Sequence, residues 1–175
     1  MILKVLIGVA VIIAAILIFA ATKPDTFRVQ RSISIQASPE RIFALINDFH
    51  NWPQWASQDK EDPSMQRTFS GAQSGVGAVS NWTSRGSAGK GRMEIVESTP
   101  GKMIAVKVDF TKPFEAHNRN EFTIEVQGAS TNVTWSMQGT NLYVMKLMSV
   151  FTDMDKIAGK HFEDGLANLK AAAER

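Results

Sequence analysis

The sequence predicts an α+β fold, in which a seven-stranded antiparallel sheet curls around a long C-terminal helix behind an N-terminal transmembrane helix. Three observations predict it: an apolar stretch over 1–22, seven segments of alternating polarity separated by glycine or proline, and a proline-free amphipathic stretch over 142–173. Short connections favour antiparallel strands, and such a sheet can bury one face against a helix. The chain therefore divides into an anchor (1–22), a linker (23–26) and one domain (27–175).

The N-terminal stretch has the length and composition of a membrane span. Lys4 is its only charged side chain, and as a helix it is about 30 Å long, the thickness of a hydrocarbon core. The alternative is a cleaved signal peptide. The run is long for one, however, and cleavage after Ala21 would put Phe19 where small residues are preferred. We expect an uncleaved, single-pass anchor.

The charges that flank the span slightly favour one orientation. Lys4 precedes it, whereas Lys23, Arg28 and Arg31 follow it. By the positive-inside rule this excess favours a cytoplasmic domain, although its margin is only one or two charges. The chain contains no cysteine, which is compatible with either side of the membrane.

Composition and motifs exclude several function classes. All 17 Asp and Glu and all but one of the 19 Lys and Arg follow residue 22. The domain is thus nearly neutral, without a basic stripe, and we expect no nucleic-acid partner. No second His or Cys lies at ligand spacing from His50, His117 or His161, so we expect no metal and no other cofactor. A cysteine nucleophile, a Gly-x-Ser-x-Gly elbow and a phosphate-binding loop are also absent from the sequence. The oligomeric state stays open.

Two short helices are predicted between the first and second strands. Ser38 followed by Pro39 is typical of a helix start, because serine caps the first turn and proline fits its first position. The next segment, 49–55, carries two tryptophans. Trp52 and Trp55 either pack on the domain, as a lid over its interior, or reach the membrane interface, where tryptophan is favoured.

The sixth strand carries the most informative polar residues. If Phe122 faces inward, so do Asn118 and Asn120, because side chains alternate along a strand. Amides that face an apolar interior can orient a ligand through hydrogen bonds; alternatively they bond backbone or water. A bulge would reverse the alternation, and the side chains of His117, Arg119 and Glu121 would then face inward instead.

The C-terminal stretch is predicted as one helix that lies on the sheet. Its two glycines, Gly159 and Gly165, each cost about 1 kcal/mol relative to alanine in a helix interior. That cost predicts a close approach to the sheet or to a ligand, and we expect Gly165 to make space for a cavity. The apolar face consists of Met154, Ile157, Ala158, His161, Phe162, Leu166 and Leu169.

Several motifs together carry a family resemblance. They are Ser-Pro-Glu-Arg-Ile-Phe at 38–43, Phe-His-Asn-Trp-Pro-Gln-Trp at 49–55, Gly-Val-Gly at 75–77 leading to Trp82, Gly-Lys-Gly-Arg-Met-Glu-Ile at 89–95, Thr-Asn-Val-Thr-Trp-Ser-Met at 131–137 and Gly-Lys-His-Phe-Glu-Asp-Gly-Leu-Ala-Asn-Leu-Lys at 159–170. With them, residues 27–174 resemble the polyketide cyclase/dehydrase-like branch of the helix-grip (SRPBCC) superfamily. That superfamily also contains START lipid-transfer domains and birch-pollen-allergen-like proteins.

The resemblance implies a cavity between sheet and helix that binds a hydrophobic small molecule or lipid, and it supplies no catalytic motif. We therefore expect a membrane-anchored binding domain rather than an enzyme. The candidate ligand-binding residues are Trp82, Met93, Phe110, Asn118, Asn120, Trp135, Met137, Phe162 and Gly165.

Two alternatives remain. One is a cyclase- or dehydratase-type enzyme acting on a polyketide- or aromatic-like substrate, with His161 or Glu163 as acid–base candidates. The other is a structural or regulatory module whose interior its own side chains fill. The size of the cavity separates the last from the others, and a buried ionisable group with a shifted pKa would indicate the enzyme.

Overall fold

The computed structural model describes residues 2–58, 62–86 and 88–175, and of Met154 only the backbone. The helices are α1 (Ile2–Ala21), α2 (Pro39–Ile46), a 3-10 helix (Phe49–Gln54), α3 (Tyr143–Met148) and α4 (Met154–Ala173). The strands are β1 (Thr26–Ile35), β2 (Gln66–Gly71), β3 (Ala78–Thr83), β4 (Lys90–Thr99), β5 (Met103–Lys112), β6 (Ala116–Gln127) and β7 (Ser130–Thr140).

The seven strands form one antiparallel sheet in the order β1-β7-β6-β5-β4-β3-β2. Along β6 the register with both neighbours is continuous, with Phe122 opposite Ile104 on one side and Trp135 on the other. The inner face of the sheet is covered by α4, α2 and the 3-10 helix. The predicted fold is confirmed.

Local signals in the sequence explain the first part of the domain. The Ser38 hydroxyl accepts a hydrogen bond from the Arg41 backbone N–H, and Pro39 is the first residue of α2, as predicted. Trp52 and Trp55 are buried, and their indole N–H groups donate to the carbonyl oxygens of Ile46 and Leu45 at 2.9 and 3.1 Å. Neither ring is available to a membrane, so that role is wrong for both.

The prediction of one continuous C-terminal helix is wrong. The chain leaves helical geometry after α3 and restarts where the Asp153 carboxylate accepts a hydrogen bond from the Lys156 backbone N–H, as an N-cap. No glycine or proline marks the break in the sequence, which is why one helix was predicted. The side chain of Met154, placed on the predicted apolar face, lies outside the described residues.

Ile157, another residue of the predicted apolar face, does not lie on the buried side of α4. Ile157 is about half exposed, whereas Phe162, Leu166 and Leu169 are buried as predicted. Each residue turns a helix by 100°, so Ile157 lies at the margin of the stripe that begins at Ala158.

Helix α1 stands outside the domain. Within this helix only Ala20 is buried. The mean hydropathy of the helix is 3.0 over a window long enough to cross a membrane, which matches a transmembrane helix, but signal sequences have the same property. Its C-terminal end contacts α3, where the Tyr143 hydroxyl donates to the Leu17 carbonyl at 3.0 Å. The Asn141 backbone N–H donates to the Asp25 carbonyl at 2.7 Å, which fixes the linker to the end of β7.

Candidate functional site

A cavity of about 340 Å³ lies at the end of the domain nearest α1. Its inner wall is apolar, and its exposed lining residues, among them Lys112 and Phe114, mark the mouth. The described residues that line it are Phe27, Arg28, Val29, Ala88, Phe110, Lys112, Pro113, Phe114, Ala116, Asn118, Met137, Asn141, Met145, Ser149, Asp155 and Ala158.

A smaller cavity of about 120 Å³ adjoins it deeper under α4. Phe110, Met137 and Ala158 line both cavities and therefore form the partition between them. The described residues lining the smaller cavity are Trp52, Ala56, Ser57, Gln58, Arg67, Trp82, Met93, Val108, Phe110, Asn120, Trp135, Met137, Ala158, His161 and Phe162.

Two buried asparagines face these cavities, one each. Asn118 lines the larger and Asn120 the smaller, and their exposures are only 8% and 6%. Among the described residues neither Oδ1 atom has a hydrogen-bond partner, whereas the Asn118 Nδ2 lies 3.8 Å from the Met137 Sδ. A buried amide oxygen that lacks a partner is costly in free energy, and a ligand donor or water would relieve that cost.

The inward parity of these asparagines is confirmed. No bulge interrupts β6, and the residues of opposite parity, His117, Arg119 and Glu121, lie on the outer face. There the His117 Nδ1 lies 2.6 Å from Asp109, and Arg119 pairs with Glu97 at 2.8 Å. Burial alone would raise the pKa of Asp109, but the hydrogen bonds from His117 and Lys107 outweigh it and lower the pKa. This perturbed acid belongs to a surface cluster outside the cavities.

Two ion pairs made by Arg31 of β1 hold the first turns of α4 over this strand. The Arg31 side chain crosses Gly159 and reaches Asp155 at 3.0 Å and Glu163 at 2.8 Å. These hydrogen bonds, the one to Asp155 first, raise the pKa of Arg31. A side-chain carbon at Gly159 would collide with the guanidinium, which accounts for this glycine.

Aromatic rings fill the interior beyond the smaller cavity. Trp135 stacks on Phe162, with ring centroids 4.2 Å apart and planes 6° from parallel, and on Phe122 at 5.0 Å. Trp55 meets both Phe122 and Trp135 edge-on. A Cβ atom at Gly165 would lie 2.9 Å from the Trp135 ring. The structure thus gives this glycine a role in helix–sheet packing.

The structure gathers most of the predicted ligand residues around the two cavities. Phe110, Asn118 and Met137 line the larger; Trp82, Met93, Phe110, Asn120, Trp135, Met137 and Phe162 line the smaller. Gly165 is not among the described lining residues of either.

Sequence reasoning missed part of the larger cavity. Its wall includes Phe27, Val29, Ala116, Met145 and Ser149, which come from β1, the start of β6, α3 and the break after α3. Because one continuous helix was predicted over this stretch, no space was expected there. The alternation of Phe27 and Val29 with Arg28 and Gln30 along β1 indicates that both apolar side chains face inward.

The two acid–base candidates occupy different environments. His161 lines the smaller cavity, whereas Glu163 is largely exposed and paired with Arg31. Within the described part of the chain, no group of three or more His, Cys, Asp or Glu side chains is arranged to hold a metal ion.

Comparison with known proteins gives one family. The family model described as "Polyketide cyclase / dehydrase and lipid transport" matches residues 26–174. No curated protein matches the chain.

Solved structures with a similar fold share little sequence with this chain. Protein CV1439 from Chromobacterium violaceum has 16% identity and a TM-score of 0.61, over 87% of this chain and 99% of that one. The Aha1 dimer from Colwellia psychrerythraea has 18% identity and a TM-score of 0.58, over 85% and 96%. The di-domain ARO/CYC StfQ from the steffimycin biosynthetic pathway has 10% identity and a TM-score of 0.63, over 85% of this chain and 51% of that one.

Proposed function

The chain belongs to the polyketide cyclase/dehydrase and lipid transport family, and we propose that it is a membrane-anchored domain that binds a hydrophobic small molecule or lipid. The observation that carries the proposal is the larger cavity, a space of about 340 Å³ with mostly apolar lining and the buried Asn118 among its lining residues. Ligand pockets generally occupy about 300–1,000 Å³ and combine apolar walls with a few polar groups. A module with a filled interior would lack this space.

The distribution of polar groups supports an amphiphilic ligand. The apolar wall of the cavity suits a hydrocarbon chain or a ring system and is formed by Phe27, Val29, Ala116 and Met137. Asn118 can form a hydrogen bond with one hydroxyl or similar group on that ligand. The exposed Arg28 and other charged residues lie at the mouth and suit a polar head in water. Anchoring by α1 would keep the domain where such ligands are concentrated, and the basic residues after α1 favour the cytoplasmic side.

Photo-crosslinking in a bilayer tests the binding. The full chain is reconstituted in phosphatidylcholine nanodiscs that contain a long-chain alcohol bearing a diazirine, and the adducts are mapped by mass spectrometry. We expect adducts in peptides that include Phe110, Asn118 or Met137. In Ala116→Phe, where a ring enters the larger cavity, these adducts should disappear, whereas Val126→Phe, an exposed control at the other end of β6, should keep them. Adducts confined to α1 in the unmodified protein would refute binding in the domain.

The anchor is tested separately. Membranes from cells that express the chain are washed at alkaline pH, and the N-terminus of the retained protein is determined. We expect retention with residues 1–21 present. A protein that begins near Thr22 or Lys23 would show that α1 is removed as a signal sequence, and would leave the cavity experiment unaffected.

An enzyme is the second candidate, because His161, a residue that can act as an acid or a base, is among the residues that line the smaller cavity. Native mass spectrometry of the detergent-extracted protein separates the two functions. A co-purified molecule that is returned unchanged after prolonged incubation supports binding. Conversion that His161→Gln abolishes, while the same molecule still binds, supports catalysis.

A further inference from the structure

An exposed apolar surface lies where the chain passes from α3 toward α4. Tyr143, Met148 and Phe151, here called the apolar ledge, have exposures of 49%, 48% and 73%. Ile157, in the first turns of α4, is 48% exposed. Large apolar side chains exposed along one short segment point to a site that contacts a protein or a membrane.

The ledge is continuous with the end of α1. The Tyr143 hydroxyl bonds to the carbonyl oxygen of Leu17, four residues before the end of α1 at Ala21 and thus about 6 Å inside it. On the same helix, the buried Lys146 forms an ion pair with Asp25 of the linker. If α1 spans a bilayer, these contacts put α3 at the depth where the hydrocarbon ends and tyrosine is favoured.

The same segment also borders the larger cavity. Met145 on α3 and Ser149 directly after it are lining residues, and Phe114, 47% exposed, lies at the mouth. The segment that carries the ledge therefore both contacts the C-terminal end of α1 and contributes to the lining of the cavity.

We propose that the apolar ledge docks on the bilayer that holds α1, and that the cavity opens at that surface, so that a ligand passes between membrane and cavity without crossing water. The inference rests on the proposed anchor. A bilayer is the occupant favoured by the short linker. Residues 22–25 span at most about 14 Å when extended, and their contacts with Asn141 and Lys146 hold the domain close to the end of α1.

Depth-dependent fluorescence quenching tests the docking. The chain has no cysteine, so single substitutions carry one environment-sensitive fluorophore each: Phe151→Cys on the ledge, Ile12→Cys in α1, and Val126→Cys as the control. Val126 is 66% exposed, similar to Phe151, but lies at the far end of β6. The full chain, one copy per phosphatidylcholine nanodisc, is quenched by lipids that carry a nitroxide near the head group or deep in the acyl chain.

We expect the head-group nitroxide to quench the label at 151, the deep nitroxide to quench the label at 12, and neither to quench the label at 126. A label at 151 that only a water-soluble quencher reaches, beside a quenched label at 12, overturns the docking and leaves the anchor intact. A label at 12 that no lipid quencher reaches overturns the anchor, and the docking with it. A label at 151 shielded from both lipid and water quenchers would mean that the chain itself covers this residue, and would also overturn the docking.

The route of entry has its own readout. Phe151→Asp places a charge on the ledge but changes no described lining residue of either cavity. We expect it to slow the appearance of the Met137 adduct from the photoreactive bilayer alcohol several-fold while the final yield stays the same. An unchanged rate overturns entry from the membrane, and Val126→Asp serves as the charge-matched control.

Discussion

The interior of the domain is filled with aromatic rings at the end beside the 3-10 helix, whereas the end beside α1 holds the larger cavity. At the filled end Trp135 is enclosed by Phe122, Phe162 and Trp55. At the open end, two residues along the same strand, Met137 borders both cavities. One face of one sheet thus supplies most of the packing at one end and the space for a ligand at the other.

The difference follows from what covers the sheet. Helix α2, the 3-10 helix and the middle of α4 all meet at the filled end, where their side chains interlock. At the other end, the described helical residues that line the larger cavity come from α3 and the first turns of α4, and Ser149 of the interruption between these helices lines it too. We infer that stability and binding are separable in this domain, and that substitutions on one strand can distinguish them.

The largest effect is expected from Trp135→Ala. Removing this buried ring leaves a large void among three aromatic partners and should lower the free energy of unfolding by about 3–5 kcal/mol. Met137→Ala, two residues away, should cost at most about 2 kcal/mol, because this half-buried side chain already borders empty space. Urea denaturation of the full chain in detergent micelles measures both. Equal losses in the free energy of unfolding for the two variants would show that the two ends of the domain do not differ in their contribution to stability.

The next effect concerns the cavity asparagines. Asn118→Leu should weaken the binding of a long-chain alcohol by about 1–3 kcal/mol, the value of one buried hydrogen bond, but spare an alkane of equal length. Asn120→Leu, behind the partition formed by Phe110 and Met137, is the matched control. Competition against the photoreactive alcohol measures each. The reverse result, with Asn120→Leu harmful and Asn118→Leu harmless, would put the polar group of the ligand in the smaller cavity.

The same substitution should affect the empty protein in the opposite sense. Asn118→Leu removes a buried oxygen that has no described partner, so the free energy of unfolding without ligand should stay the same or rise. A gain in stability with a loss of polar-ligand binding is typical of a functional residue.

The sequence predicted the filled end better than the open end, for a physical reason. Alternation along β6 and β7 specified Phe122, Asn118, Asn120 and Trp135 as inward-facing, because period two is strict wherever a strand has no bulge. It failed only at the strand end, where Val126 has inward parity but is exposed beyond the covering helices.

The open end depended on an irregular connection. The break between α3 and α4 is marked only by the Asp153 cap, a weak signal within a proline-free stretch. The two interior glycines were correctly expected to mark close approaches. Which neighbour each one meets, Arg31 or Trp135, depends on tertiary packing that helical periodicity does not specify.

Those glycines provide the third prediction. Gly165→Ala gains helix propensity but forces a methyl group against the Trp135 ring, which its neighbours hold in place. A net loss of about 1 kcal/mol in the free energy of unfolding is expected. Gly159→Ala meets the far end of the flexible Arg31 side chain, which can turn toward water at the loss of its exposed ion pairs with Asp155 and Glu163. Because exposed ion pairs contribute little to stability, the loss in the free energy of unfolding should be smaller than for Gly165→Ala. A neutral Gly165→Ala would show that the filled end tolerates expansion.

The smallest effect is expected at the junction of α1 and α3. The hydrogen bond and the charge of Lys146 lower the pKa of Asp25 below its ordinary value of 3.8. An acid with a lowered pKa contributes stability above its ordinary pKa, and the contribution disappears as the pH falls through the lowered value. Asp25→Asn should therefore speed amide hydrogen exchange in α3 at neutral pH, while Glu125→Gln, an exposed acid at the far end of β6, should not.

The difference in thermal stability between the unmodified protein and Asp25→Asn should be constant above about pH 5 and shrink below pH 4. A difference that persists in acid would mean that the ion pair does not hold α3 against the linker, and that the open end relies on apolar contacts with α1 alone.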